Sequence, residues 1–297
     1  MSDLRFGRLI TAMITPFDKD RKLDLKRSQE CAVRQLEGGA DSIILTGTTG
    51  ESPTVFYPDK MKYYQAVIEA VGGKLPLICN VGDNCTEDSI NFAREVEKLG
   101  IDGLMLVVPY YNKPPQEGLY QHFRAIAESV DLPIILYNIP GRCVINMEVS
   151  TTLRLANDCE NIVAIKEASG KLTQIAQICA NAPDDFVVYS GDDDATLPIM
   201  ELGGVGVIST ISNVVPWRMK EIIDAFVAGD VEKAWELNDA LRPLMKGLFA
   251  TSNPILPKAA LKLLGFDCGG VRLPLVDATQ EQIDTLAGIM RQVGVLD

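Results

Sequence analysis

Pro133-Ile134-Ile135-Leu136-Tyr137-Asn138, then a helical pattern over residues 147–157, then Ile162-Val163-Ala164-Ile165-Lys166 read as strand, helix, strand. Neither apolar run alternates cleanly with polar residues. Continuous apolarity over strand length marks strands buried on both faces, as in a parallel sheet covered by helices.

The same pattern extends in both directions. Residues 9–15, 42–46, 75–80 and 103–109 are upstream strand candidates, and 186–190 and 205–210 lie downstream. Helical patterns separate them: 25–38, 58–71, 86–100, 117–130, 172–181, 195–202 and 216–229. Several stop at glycine, as helices commonly do. Counted in order, these make eight βα units. With right-handed crossovers, such a series closes most simply into a (β/α)8 TIM barrel; an open doubly wound sheet is the structural alternative. After Gly229 the strand signal ends, and residues 230–251, 254–265 and 279–293 read as helices. The expected organisation is a barrel over residues 1–229 and a C-terminal helical appendage over 230–297, packed on it.

The chain has 297 residues, 47% of them hydrophobic, with a formal net charge of −12. That acidic balance, with no basic patch, argues against nucleic acid or an anionic membrane surface as partner. An anionic substrate must be held by a few placed cations. The seven cysteines are odd in number and include no CxxC pair, which fits reduced thiols. No signal-like segment opens the chain, and no apolar run approaches a membrane span. A cytoplasmic location is expected.

In a barrel of this kind the active site lies at the carboxyl ends of the strands. Those positions carry Gly47-Thr48-Thr49-Gly50-Glu51-Ser52, Pro109-Tyr110-Tyr111-Asn112, Tyr137-Asn138-Ile139-Pro140-Gly141-Arg142, Ile165-Lys166-Glu167-Ala168-Ser169, Ser190-Gly191-Asp192-Asp193 and Gly204-Val205-Gly206-Val207-Ile208-Ser209. Lys166 continues its apolar run without a polar break. Desolvation lowers a lysine's pKa, and a neutral amine attacks a ketone to form an imine. A structural lysine paired with Glu167 or an Asp is the plainer alternative. Tyr137 can donate and accept a proton, with Thr49 and Tyr111 as candidate partners; a barrel-layer aromatic is its alternative. Thr48 and Thr49 suit a carboxylate, with plain turn chemistry as the alternative, and Arg142 suits a second one as a bidentate clamp, with a surface salt bridge as the alternative. Asp192 and Asp193 can order a helix start or bind metal, although no His or Cys cluster lies near them for a transition metal. The single histidine, His122, lies in a helix, which removes His-dependent triads and HExxH zinc sites.

Taken together, these segments resemble the dihydrodipicolinate synthase / N-acetylneuraminate lyase family, over essentially the whole chain. Asn253-Pro254-Ile255 and Arg272-Leu273-Pro274-Leu275 also fit. Tyr110-Tyr111, Thr48-Thr49 and Arg142 favour the synthase branch over the sialic acid lyase branch. The resemblance implies a class I aldolase-type lyase of lysine and diaminopimelate biosynthesis, with no organic cofactor and no metal. Lys166 would form an imine with pyruvate, Thr48 and Thr49 would hold its carboxylate, and Arg142 would bind aspartate 4-semialdehyde. A proton relay would join Tyr137, Thr49 and Tyr111, the last from a neighbouring subunit. The backbone of Ile208 would help set the site. A homo-oligomer is implied, a tetramer built as a dimer of dimers.

The chain departs from the family pattern in places. Gly141-Arg142-Cys143 stands where Ser-Arg-Thr is usual. A lysine-binding regulatory cleft would align with Ser52, Tyr57, Lys60, Asn84, Asp88 and Tyr110. Tyr57 and Lys60 replace the histidines of familiar lysine-inhibited members, and Asp88 replaces a glutamate. Lys60 would repel a lysine ammonium, so little feedback is expected. Two rival readings are another pyruvate-dependent aldolase of the same family and a catalytically silent barrel.

Overall fold

The computed structural model describes residues 4–297. Its strands are β1 (Leu9–Ala12), β2 (Ser42–Leu45), β3 (Leu77–Asn80), β4 (Gly103–Val107), β5 (Ile134–Asn138), β6 (Ile162–Glu167), β7 (Val187–Ser190) and β8 (Gly206–Ser209). They are hydrogen-bonded neighbour to neighbour in chain order as a closed barrel, and the pairings are parallel. The expected (β/α)8 fold is what the chain adopts.

By density of contacts the chain divides into two compact units: residues up to Leu75 with Ser209–Asp297, and Pro76–Ile208. The first unit holds β1 and β2 with α1 (Leu25–Glu37) and α2 (Tyr57–Val71). It also holds α9 (Pro216–Val227), α10 (Val231–Gly247), α11 (Ile255–Leu263) and α12 (Gln280–Gln292). The second holds β3 to β7 and most of β8, with α3 (Thr86–Glu97), α4 (Gln116–Ala127), α5 (Pro140–Cys143), α6 (Val149–Asp158), α7 (Leu172–Asn181) and α8 (Thr196–Glu201).

The helices form where the amphipathic spacing demands. In α1, Ser28, Cys31, Ala32 and Gln35 are the buried positions, three and four apart, on one face. Its N-cap, Asp24, accepts from the Arg27 amide at 2.9 Å. Gln35 turns inward because the Thr11 hydroxyl of β1 donates to it at 3.0 Å. The strands are buried along nearly their whole length, with Ile10, Ile43, Ile44, Leu104, Ile134 and Ile165 fully enclosed. This two-sided burial is why no polar alternation marks them.

Boundaries differ in instructive places. The first apolar run reads as a strand to Thr15, yet β1 stops at Ala12. The amide of Ile14 is taken by the Asn213 side chain at 3.0 Å, and the Thr15 hydroxyl donates to the Gly50 carbonyl at 2.7 Å. Met13 still donates to the Ile44 carbonyl at 3.0 Å, and side chains take over from Ile14 onward. The α10 helix ends at Gly247 rather than 251 and runs through Pro243. The carbonyl that Pro243 leaves unbonded belongs to Asp239, which is exposed to water. Among the described residues, no helix is long and apolar enough to cross a membrane.

Candidate active site

The second unit carries Lys166 at the end of β6. Successive strand side chains point to opposite faces, so Lys166 and Glu167 face apart. The Glu167 carboxylate accepts from Asn138 Nδ2 at 3.1 and 3.2 Å, the Ser169 amide at 2.8 Å and Gln174 Nε2 at 3.1 Å. Asn138 also donates to Asn146 Oδ1 at 3.0 Å and accepts from the Met147 amide at 3.0 Å. Glu167 thus serves the β5–β6 edge, and its carboxylate does not neutralise Lys166.

Lys166 is 5% exposed, and its Nζ lies 4.4 Å from the centroid of the Tyr137 ring. The two residues are cross-strand partners in the β5–β6 register. Burial lowers the Lys166 amine to about 8; Asp192 and Asp193 oppose that shift and Arg142 adds to it. Burial likewise lifts the Asp192 carboxyl to about 6, against the pull of Lys166. Gly191, just before it, has no room for a side chain, since a Cβ there would lie 2.6 Å from Ala168 Cβ. Asp192 precedes a short 3-10 turn, Asp193–Ala195, and makes no side-chain capping hydrogen bond to it.

Arg142 sits on α5, a single turn opened by Pro140, and is exposed. Its neighbour Cys143 is buried, which pushes that thiol up to about 11 despite the guanidinium. Ile208 is fully buried on β8. Past β4, Tyr111 is 88% exposed at a φ of 74°. Its neighbour Tyr110 is half-buried, and desolvation, with Asp83 beside it, raises the phenol to about 12.

In the first unit the turn after β2 carries the threonines. Thr48 is half-buried and Thr49 is buried. Gly50 is required there, because a Cβ would lie 2.8 Å from Thr46 Cα and 3.1 Å from the Met13 carbonyl. Thr49 Oγ1 is 3.2 Å from Thr210 Oγ1 and accepts from Asn253 Nδ2 at 2.8 Å. Glu51, in a left-handed conformation at φ 54°, forms a buried ion pair with Lys258 at 2.6 Å. The Arg272 amide donates to the other Glu51 oxygen at 2.9 Å.

The residues aligned with a regulatory cleft appear in two groups. In the first unit, Lys60 donates to Ser52 at 2.9 Å and Tyr57 is 45% exposed. In the second, Asn84 donates to the Tyr110 carbonyl at 3.2 Å, and Asp88 is exposed in the first turn of α3. The sequence reading missed the Asn138–Glu167 network, the Lys258–Glu51 pair and the Asn253–Thr49 bond. Nothing local marks Lys258, whose helix carries a second lysine, Lys262, one turn further on.

A model of the dihydrodipicolinate synthetase family matches residues 5–293. The chain belongs to that family. A family relative named 4-hydroxy-tetrahydrodipicolinate synthase, from Symbiobacterium thermophilum, is 51% identical over 291 residues, covering 98% of this chain and 99% of its own. A crystal structure of DHDPS from Cyanidioschyzon merolae, with lysine bound, aligns at a TM-score of 0.97 and 45% identity, over 99% of this chain and 100% of that one. A monomeric dihydrodipicolinate synthase variant aligns at a TM-score of 0.96 and 43% identity, over 98% of each chain.

Proposed function

We propose that this protein is a Schiff-base-forming lyase with 4-hydroxy-tetrahydrodipicolinate synthase activity, joining pyruvate to L-aspartate 4-semialdehyde in lysine and diaminopimelate biosynthesis. The observation that carries the mechanism is the buried Lys166 amine against the Tyr137 ring. With its pKa near 8, roughly one amine in ten is neutral at pH 7, against about one in three thousand for an ordinary lysine. The neutral amine adds to the pyruvate keto carbon, and the carbonyl oxygen leaves as water. The protonated imine withdraws electrons, the methyl group loses a proton, and the resulting enamine attacks the aldehyde. The substrate's own amine then closes the ring onto the imine carbon and releases Lys166.

In this reading Tyr137 gives and takes the protons of imine formation, passing them through Thr49 and Tyr111. Thr48 and Thr49 hold the pyruvate carboxylate, the Ile208 backbone helps set the site, and Arg142 receives the carboxylate of the second substrate. The exposure of Tyr111 and its left-handed backbone suit a side chain that works in a neighbouring subunit. That requires a homo-oligomer, which we assign as a dimer of dimers. No cofactor enters the chemistry. The free cysteines suit a cytoplasmic enzyme. Lys60 beside Ser52 leads us to expect little inhibition by lysine, which submillimolar inhibition would overturn.

The test is product analysis. Pyruvate with aspartate semialdehyde should give the cyclic product, while sugar-derived keto acids should not be cleaved. The reverse preference would favour another aldolase of the family.

A further inference from the structure

The hydroxyl of Thr49 has one proton to give and two lone pairs, so a neighbour that donates to it decides which way its proton points. Asn253 is such a neighbour. Its Nδ2 reaches Thr49 Oγ1 at 2.8 Å across 204 residues of sequence, with both residues buried. This is the amide's one side-chain hydrogen bond, since Asn253 Oδ1 has no partner among the described residues. Water does not compete for a bond this deeply enclosed, and the amide has no second partner to draw it away.

Asn253 is also held in place. It lies in the link between α10 and α11, and the same C-terminal segment grips the threonine turn at two further points. Lys258 pairs with Glu51 at 2.6 Å, with both side chains at most 3% exposed. Arg272 donates its amide to Glu51 at 2.9 Å and its guanidinium to the Thr54 carbonyl at 2.6 Å. The Lys258 ammonium and the Arg272 guanidinium each lie 4.2 Å from the centroid of the Phe17 ring. The turn that presents Thr48 and Thr49 is therefore fastened by residues from the C-terminal helical segment.

We propose that Asn253 is a positioning residue for the reaction: by donating to the Thr49 hydroxyl it fills one lone pair and turns that hydroxyl's single proton away from itself, toward Thr210 Oγ1 at 3.2 Å or toward the relay. The C-terminal helices thereby act on the chemistry as well as on packing. The inference rests on the reading of Thr49 as a relay member.

Two variants of the full-length enzyme test it. Asn253→Asp keeps the shape but can only accept, so it reverses the bond; Asn253→Ala removes the bond and decides the matter if the aspartate disturbs folding. Both should lower kcat by roughly 10- to 100-fold, with the borohydride-trapped imine at Lys166 still forming. In a Thr49→Val background, Asn253→Ala should cost nothing more, because the hydroxyl it orients is gone. A kcat within twofold of the unsubstituted enzyme, or the same loss with and without the Thr49 hydroxyl, overturns the proposal. If the unsubstituted protein itself traps no pyruvate, the lysine reading fails and this inference falls with it.

Discussion

The Nζ of Lys166 sits 4.4 Å from the centroid of the Tyr137 ring, and the two residues are register partners on adjacent parallel strands. An amine and a phenol are therefore held side by side by backbone hydrogen bonds rather than by loops. Sites built on strands keep their geometry better than sites on loops.

The depressed Lys166 pKa sets a pH dependence. The neutral amine is the reactive form, so kcat/KM for pyruvate should climb with pH and level off above about 8. The Asp192 carboxylate favours the charged amine. Asn at position 192 should therefore shift the rising limb to lower pH. A profile unchanged by Asp192→Asn would contradict this.

Burial of Lys166 should cost stability. An ordinary lysine stays charged to about 10.5, whereas folded Lys166 loses its proton near 8. The folded state therefore carries a penalty below about pH 8 that fades as the pH rises from 8 to 10.5. Its size is about 3 kcal/mol. Lys166→Met should raise the melting temperature at pH 7 while abolishing turnover, and the gain should shrink near pH 10.5. A variant less stable than wild type at pH 7 would count against a desolvated amine.

Breaking the Lys258–Glu51 pair should be costly, because the partner stays buried and charged. Lys258→Met should destabilise by about 3–5 kcal/mol, with much of the loss recovered in the double variant with Glu51→Gln. Urea unfolding of the single and double variants measures this. Equal losses in the two would show that the charge pairing is immaterial.

A relay through a neighbour's Tyr111 predicts complementation. Lys166→Ala and Tyr111→Phe should each be nearly inactive alone. Mixed and reassembled, they should regain up to about a quarter of wild-type activity, since one of two sites in each hybrid dimer has both groups. No recovery in verified hybrids would place Tyr111 outside the partner's site.

Much of this fold can be read from the chain because buried parallel strands write continuous apolar runs, and the residue ending each run is then easy to find. Lys166 and Tyr137 fall at such ends. The ends of elements were harder to read: β1 stops at Ala12, and just past it the Ile14 amide goes to the Asn213 side chain, 199 residues away in sequence. Asn253 and Lys258 were invisible as site supports for the same reason. Their partners, Thr49 and Glu51, are more than 200 residues away, and no local pattern encodes such a pairing. Glu167 read as a possible partner of Lys166, yet strand alternation turns it toward Asn138 and Gln174.

Treatment with pyruvate and borohydride, followed by peptide mapping, tests the central claim most directly. Reduction should fix a pyruvate-derived adduct on the peptide containing Lys166, on no other lysine, and not at all in Lys166→Ala. An unmodified Lys166 peptide from folded protein, or an adduct on a different lysine, would contradict the mechanism.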